Sequence, residues 1–204
     1  FEEMTNISKV AREALAKSFS VEAVGLSNFQ TASDGTKKFL LRGFDGASFE
    51  CVLIPAEDGR VTVCLSTQAG CAMGCLFCRT AEMGLKRNLT QGEILGQLVV
   101  AMRHSAGAVT NVVLMGMGEP LSNRVAVGGA IEVMLHDRAF GFSKRRVTLS
   151  TCGLLPELEE FSSAFDVKIA ISLNATTDEV RDRLMPVNRK YPLAELMKFC
   201  RAYS

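Results

Sequence analysis

Arg60-Val-Thr-Val-Cys64-Leu-Ser-Thr-Gln-Ala-Gly70-Cys71-Ala-Met-Gly74-Cys75-Leu-Phe-Cys78 is a short apolar stretch that runs into a glycine-punctuated loop carrying three thiols. The alternation of Val61, Val63 and Leu65 predicts a strand from Arg60 to Ser66. Downstream the pattern recurs. Strands are predicted at Asn111 to Gly116, Arg146 to Thr151 and Val167 to Leu173, with helices at Thr90 to Ser105, Arg124 to His136, Leu154 to Ser162 and Pro192 to Ala202. Thr90 with Glu93 three residues later is a capping box for the first of these helices. Short apolar strands alternating with helices are the signature of βαβ units on a parallel sheet, where both strand faces are covered. Four such units in about 145 residues are too few to close an eight-stranded barrel, so the expected fold is α/β, a partial βα barrel.

Upstream the periodicity differs. Met4 to Phe19 reads as a helix that Thr5 or Asn6 can cap, and Val21 to Gln30, Lys37 to Phe44 and Ser48 to Ile54 read as strands. Ser33-Asp34-Gly35 and Asp45-Gly46 between them supply positive φ, which makes an antiparallel meander. The chain is therefore expected to divide into a small α+β extension, residues 1–57, and a barrel core, residues 58–204.

Composition narrows the class. Of 204 residues 48 % are apolar and 22 % charged, with 23 Lys and Arg against 22 Asp and Glu, a net +1 that excludes disorder. The longest apolar runs, Val109 to Met117 and Val167 to Leu173, fall far short of the roughly 20 residues of a spanning helix. No leader pattern opens the chain, so a cytoplasmic protein with no membrane partner is expected. Seven cysteines, three of them within eight residues, argue against a disulfide framework and for metal in a reducing compartment. Net charge gives no footprint for nucleic acid. The basic clusters Lys86-Arg87, Lys144-Arg145-Arg146 and Arg189-Lys190 read most simply as solvated charges, and are the phosphate contacts expected if RNA docks.

The unusual residues follow the predicted strands. In a parallel βα sheet all carboxyl ends face one way, so the loops at Cys71 to Cys78, Gly116 to Pro120, Ser150 to Gly153 and Asn174 to Thr177 converge on one mouth. Thiols at i, i+4 and i+7 would share a helical face, but Gly70 and Gly74 disfavour a helix and let backbone wrap a ligand. Zinc would want a fourth ligand, and His104 and His136 lie on predicted helices away from the loop. An iron-sulfur cluster usually takes four thiolates. Three on a four-iron cluster leave one iron open, which suits catalysis; Cys64 as a fourth ligand is the alternative.

Cys-x3-Cys-x2-Cys after the first barrel strand resembles the radical S-adenosylmethionine (SAM) superfamily. Met4-Thr-Asn-Ile-Ser-Lys9, Ser66-Thr-Gln-Ala-Gly-Cys71, Phe77-Cys78-Arg-Thr80, Arg87-Asn-Leu89, Met115-Gly-Met-Gly-Glu-Pro-Leu121, Thr148-Leu-Ser-Thr151 and Ser172-Leu-Asn-Ala175 resemble, in order and spacing, the RlmN dual-specificity RNA adenine-carbon-2 methyltransferases. The resemblance covers essentially the whole chain. It implies a 4Fe-4S cluster on Cys71, Cys75 and Cys78, and S-adenosylmethionine held by Gly118, Glu119, Ser150, Ser172, Leu173 and Asn174. Glu50 takes the position of the proton acceptor. Cys64 takes that of the helper thiol, which resolves the protein–RNA adduct and forms a disulfide with a methyl-carrying cysteine. By residue type alone, Glu50 is a solvated strand carboxylate, Cys64 a buried inert thiol, Gly116 to Pro120 a turn, and Ser150, Ser172 and Asn174 caps or turns. Which of Glu50 and Cys64 is the base stays open.

Carbon 2 of adenine is electrophilic, so polar methyl transfer from a sulfonium fails and a radical route is needed. The resemblance implies that one cofactor methylates a C-terminal cysteine and a second is cleaved to a radical that activates that methyl group. Its substrates would be 23S rRNA and adenosine 37 of certain tRNAs, its reductant an electron donor such as a flavodoxin, and its state a monomer. The methyl-carrying cysteine should lie beyond the fourth barrel strand; Cys200 does not match it. These 204 residues are thus expected to carry the cluster and much of the cofactor site without completing transfer. Other readings are an adenine carbon-8 methyltransferase of the related resistance type, a radical SAM enzyme on a non-RNA substrate, and a non-catalytic iron-sulfur protein.

Overall fold

Ser8, rather than Thr5 or Asn6, starts the first helix: its Oγ accepts the Ala11 N–H at 3.2 Å, and α1 runs Lys9–Ser18. Residues 1–203 are described here from a computed structural model. The meander follows as β1 (Gly25–Thr31), β2 (Lys37–Arg42) and β3 (Ser48–Pro55), and β3 turns through Gly59 into β4 (Val61–Cys64). A short ribbon, β5 (Gln68–Ala69) and β6 (Arg87–Asn88), brackets the thiol loop and the one-turn α2 (Arg79–Glu82). Then come α3 (Gln91–Arg103), β7 (Asn111–Leu114), α4 (Arg124–Leu135), β8 (Val147–Thr151), α5 (Leu155–Ala164), β9 (Lys168–Ile171), α6 (Asp178–Leu184) and α7 (Leu193–Tyr203). Three-ten turns precede α4 and β8 and join α6 to α7.

One seven-stranded sheet holds the chain together in the order β1-β2-β3-β4-β7-β8-β9. Pairing is antiparallel up to β4 and parallel from β4 onward, as the change of periodicity near residue 58 predicts. The meander extends the barrel sheet: Val52 pairs with Cys64 directly across the β3–β4 hairpin. Alternation decides the faces. Val63, Val112, Leu114, Val147 and Leu149 are buried on the helical side against Ile94, Leu98, Ile131 and Leu158. Each such side chain contributes about 1.5–3 kcal/mol by burial. Glu50, Cys64, Val113 and Ser150 occupy the other, half-buried, concave face.

Arg87 and the Lys144 to Arg146 cluster are not free to meet a polyanion at the mouth, whereas Lys86 is exposed beside the thiol loop. Arg87 is clamped between carboxylates: Nε and Nη2 donate to Asp45 at 2.6 and 2.7 Å, and Nη1 and Nη2 donate to Glu93 at 2.8 and 2.7 Å. It fastens the β2–β3 turn to α3. Lys144 to Arg146 immediately precede β8, at the amino edge of the parallel sheet; Lys144 pairs with Asp166 and Arg146 with Asn111. No helix among the described residues is long and apolar enough to cross a membrane.

Candidate active site

Before the thiol loop begins, the exit of β4 is fixed. Gln97 on α3 is fully buried; its Oε1 accepts the Ser66 N–H at 2.8 Å and its Nε2 donates to the Ser66 carbonyl at 2.9 Å. Ser66 Oγ donates to the Glu50 carbonyl and accepts the Met117 N–H at 2.8 Å. Asn123 Nδ2 donates to the carbonyls of Thr67 and Leu89, both at 2.8 Å. Gly70 then takes φ +87°, where an added Cβ would collide with the Gly84 carbonyl oxygen. The Cys71 N–H donates to that same oxygen at 3.2 Å, which closes the loop on itself. Gly74 also has positive φ, +68°. The thiol loop is thus a wrapped turn, as its glycines predict.

Cys71, Cys75 and Cys78 line one cleft of about 270 Å³ with Gly118, Glu119, Ser150, Ser172 and Asn174, at the carboxyl ends of β7, β8 and β9. Gly118 has φ +99°, and a Cβ there would lie 2.5 Å from the Gln68 Cβ and 2.8 Å from its nitrogen. Glu119 is extended before Pro120, and nearly buried. Its Oε1 accepts the Leu121 N–H at 3.1 Å and its Oε2 the Cys152 N–H at 2.8 Å. The Met117 carbonyl accepts the N–H groups of Thr67 and Gln68, which ties this turn to the exit of β4. Ser150 and Ser172 Oγ lie 3.4 Å apart, and Asn174, at φ +55°, donates to the Met185 sulfur at 3.2 Å. Leu173 is absent from the lining; its carbonyl accepts from Arg181 Nε at 3.0 Å.

Glu50 and Cys64 lie outside that cleft. They share the concave face, with Val52 opposite Cys64 and Glu50 two residues along β3. Lys38 Nζ stands 3.1 Å from Glu50 Oε1. Cys64 is therefore on the sheet rather than in the thiol loop. Burial pushes its thiol above the ordinary range, against the Met115 N–H, which lowers it.

The cleft disfavours further negative charge. Burial, then the neighbouring Cys71, Cys78 and Glu119, push Cys75 up to about 11. Cys71 is raised mainly by burial, with Glu119 and Cys78 adding to it. Such a set favours soft, positively charged metal, which would draw the thiols to thiolates. Among the described residues no three His, Cys, Asp or Glu close on one ion point; a single zinc would need its sulfurs about 3.8 Å apart, from bonds near 2.3 Å. Thiols spread around a shared cleft would suit a polynuclear group, and Gly118 and Glu119 line the same cleft. A larger hollow of about 690 Å³ between α5 and α7 carries no thiol.

Residues 65–204 match the radical SAM superfamily. This chain belongs to that superfamily. Its members use a 4Fe-4S cluster and S-adenosylmethionine. Three relatives are each named dual-specificity RNA methyltransferase RlmN: one from Syntrophotalea carbinolica is 48 % identical, and those from Geotalea uraniireducens and Geobacter sulfurreducens are 49 % identical. All of this chain is covered in each match, against 54, 58 and 56 % of those relatives. A solved radical SAM methyltransferase from Sphaerobacter thermophilus superposes with a TM-score of 0.94 at 41 % identity, over 99 % of this chain and 60 % of that one. The chain thus spans just over half the length of the relatives it matches.

Three residues of this radical SAM core escaped the sequence reading. Cys152 lines the cleft, with burial first and then Glu119 raising its thiol. Its only signal was its place one residue past a predicted strand. Gln97 and Arg181 gave none, because a buried polar side chain on a helix is indistinguishable in sequence from an exposed one.

Proposed function

We propose that this chain forms the catalytic core of an RlmN-type RNA methyltransferase, acting on carbon 2 of adenosine in 23S rRNA and on adenosine 37 of certain tRNAs. The observation that carries this reading is the single cleft shared by Cys71, Cys75, Cys78, Glu119, Ser150, Ser172 and Asn174. When bound, the cluster supplies the electron that cleaves S-adenosylmethionine reductively, giving hydrogen abstraction that polar chemistry lacks.

The chain's own residues do the rest. Cys71, Cys75 and Cys78 would ligate the cluster. Gly118 and Glu119 receive the cofactor's ammonium, since the Glu119 oxygens keep lone pairs beyond their two backbone bonds. Ser150, Ser172 and Asn174 offer polar edges, and Leu173 anchors that wall through its carbonyl on Arg181 Nε. Glu50, a half-buried carboxylate beside Lys38, suits the proton acceptor; Cys64, kept protonated near neutral pH by burial, suits the helper thiol. Arg189, the last residue of the three-ten turn Pro186–Arg189, the following Lys190 and the exposed Lys86 are the phosphate contacts. A cytoplasmic monomer reduced by a flavodoxin-like donor completes the reading.

Two measurements test it. Anaerobically reconstituted, reduced protein should give a four-iron paramagnetic resonance signal that shifts when S-adenosylmethionine is added; an unmoved signal removes the open iron. Mass spectrometry of RNA treated with the full-length enzyme should find 2-methyladenosine, whereas 8-methyladenosine would reassign the reaction.

A further inference from the structure

Arg181, on α6, is fully buried behind the cleft, where a charge is costly unless its donors are all used. It makes four hydrogen bonds, every one to a neutral oxygen: Nε to the Leu173 carbonyl at 3.0 Å, Nη2 to the carbonyls of Cys152 at 2.7 Å and Ser172 at 3.3 Å, and Nη1 to Asn188 Oδ1 at 2.8 Å. Negative charge is one amide further away. Asn188 Nδ2 donates to Asp178 at 2.9 Å and Asp182 at 2.6 Å.

These bonds gather both walls of the cleft. The carbonyls belong to the segments leaving β8 and β9, which carry Ser150, Cys152, Ser172 and Asn174. α6 itself reaches the thiol loop: the Leu184 carbonyl accepts the N–H of Leu76, next to Cys75, at 2.9 Å. We propose that Arg181 is a positioning residue for the cofactor wall and, through its buried charge beside the thiol loop, a group that eases reduction of the cluster. This rests on the cluster reading above. Reduction adds an electron to the cluster, and a cation poorly screened by water favours the more negative state. Only a guanidinium can bond three carbonyls and an amide from one planar fork.

The test compares reconstituted wild type with Arg181→Met, Arg181→Lys and Asp182→Asn, reading iron content, cluster midpoint potential without cofactor, and the concentration of S-adenosylmethionine that half-shifts the resonance. Arg181→Met should be about tenfold less reduced at a fixed poise, a midpoint about 59 mV more negative, and should bind cofactor about tenfold more weakly. Arg181→Lys should hold the midpoint and lose cofactor affinity. Asp182→Asn keeps an acceptor for Asn188 and deletes a negative charge, so its midpoint should rise. A scaffold role alone moves no midpoint: a wild-type potential in Arg181→Met would overturn the proposal. If Arg181→Met does not load iron, Arg181→Gln, which keeps a polar group for the carbonyls and removes the charge, decides, and an unmoved midpoint there overturns it. A wild-type cluster indifferent to S-adenosylmethionine would instead count against the functional reading, because the midpoints are taken without cofactor.

Discussion

Glu119 Oε2 accepts the backbone N–H of Cys152 at 2.8 Å, so the carboxylate that ends the β7 loop also holds the β8 loop in place. With Oε1 on the Leu121 N–H, the group fixes two backbone donors at the floor of the cleft. Glu119→Gln replaces one acceptor by an amide donor facing an N–H. A buried donor left unmatched costs about 1–3 kcal/mol. Chemical denaturation of the cluster-free variant should show that loss, together with a weaker cofactor-induced shift of the resonance. Equal stability of Gln and Glu would show that the backbone bonds carry little.

Gly70 and Gly59 both have positive φ, +87° and +81°, yet they predict different outcomes. At Gly59 an added Cβ meets nothing within 4 Å, so Gly59→Ala should cost only the left-handed penalty, about 1–2 kcal/mol. At Gly70 it meets the Gly84 carbonyl, backbone that cannot step aside without opening the thiol loop. Gly70→Ala should therefore lose iron on reconstitution as well as stability. Thermal melts and iron content of the pair separate the two costs, and a fully loaded Gly70→Ala protein would refute a closed loop.

Cys64 is separated from the thiol cleft by its place on β4, which bears on the number of cluster ligands. Single Ala variants of Cys71, Cys75 and Cys78 should each abolish the four-iron signal and its visible absorption, whereas Cys64→Ala should retain both. Loss of the cluster in Cys64→Ala would instead establish four protein thiolates and no iron open to cofactor.

Much of this site is legible in sequence because its parts are local. Cys71, Cys75 and Cys78 lie within one turn-rich segment, and Gly118 and Glu119 follow one strand, so strand polarity alone brings them to one edge. The supports are not local. Gln97 meets Ser66 across 31 residues and Arg181 meets Cys152 across 29, and no periodicity marks such pairs. Helix α6 passed unread because seven residues with five charges carry no apolar stripe. Arg87 shows the converse error: a sequence cluster of cations reads as free charge until Asp45, 42 positions away, closes on it.

That clamp contributes to the acid response of the fold. Asp45 is held well below the usual carboxylate range, chiefly by the Arg87 hydrogen bond and then by the Ala47 N–H. For Glu93 burial pushes upward, but the Arg87 and Thr90 bonds more than offset it and leave the group lowered. A carboxyl depressed in the folded state contributes stability above its unfolded value, 3.8 for Asp and 4.5 for Glu, and loses it as pH falls toward the folded value. Melting temperature should therefore hold level from about pH 7 to about pH 5 and fall below that. Arg87→Met removes the cation and leaves Glu93 buried, where desolvation drives its carboxyl up. The variant should melt lower at neutral pH, and its curve should flatten on acidification, because protonating Glu93 then relieves a buried charge. Parallel melting curves for the two proteins across that range would place the acid sensitivity elsewhere in the fold.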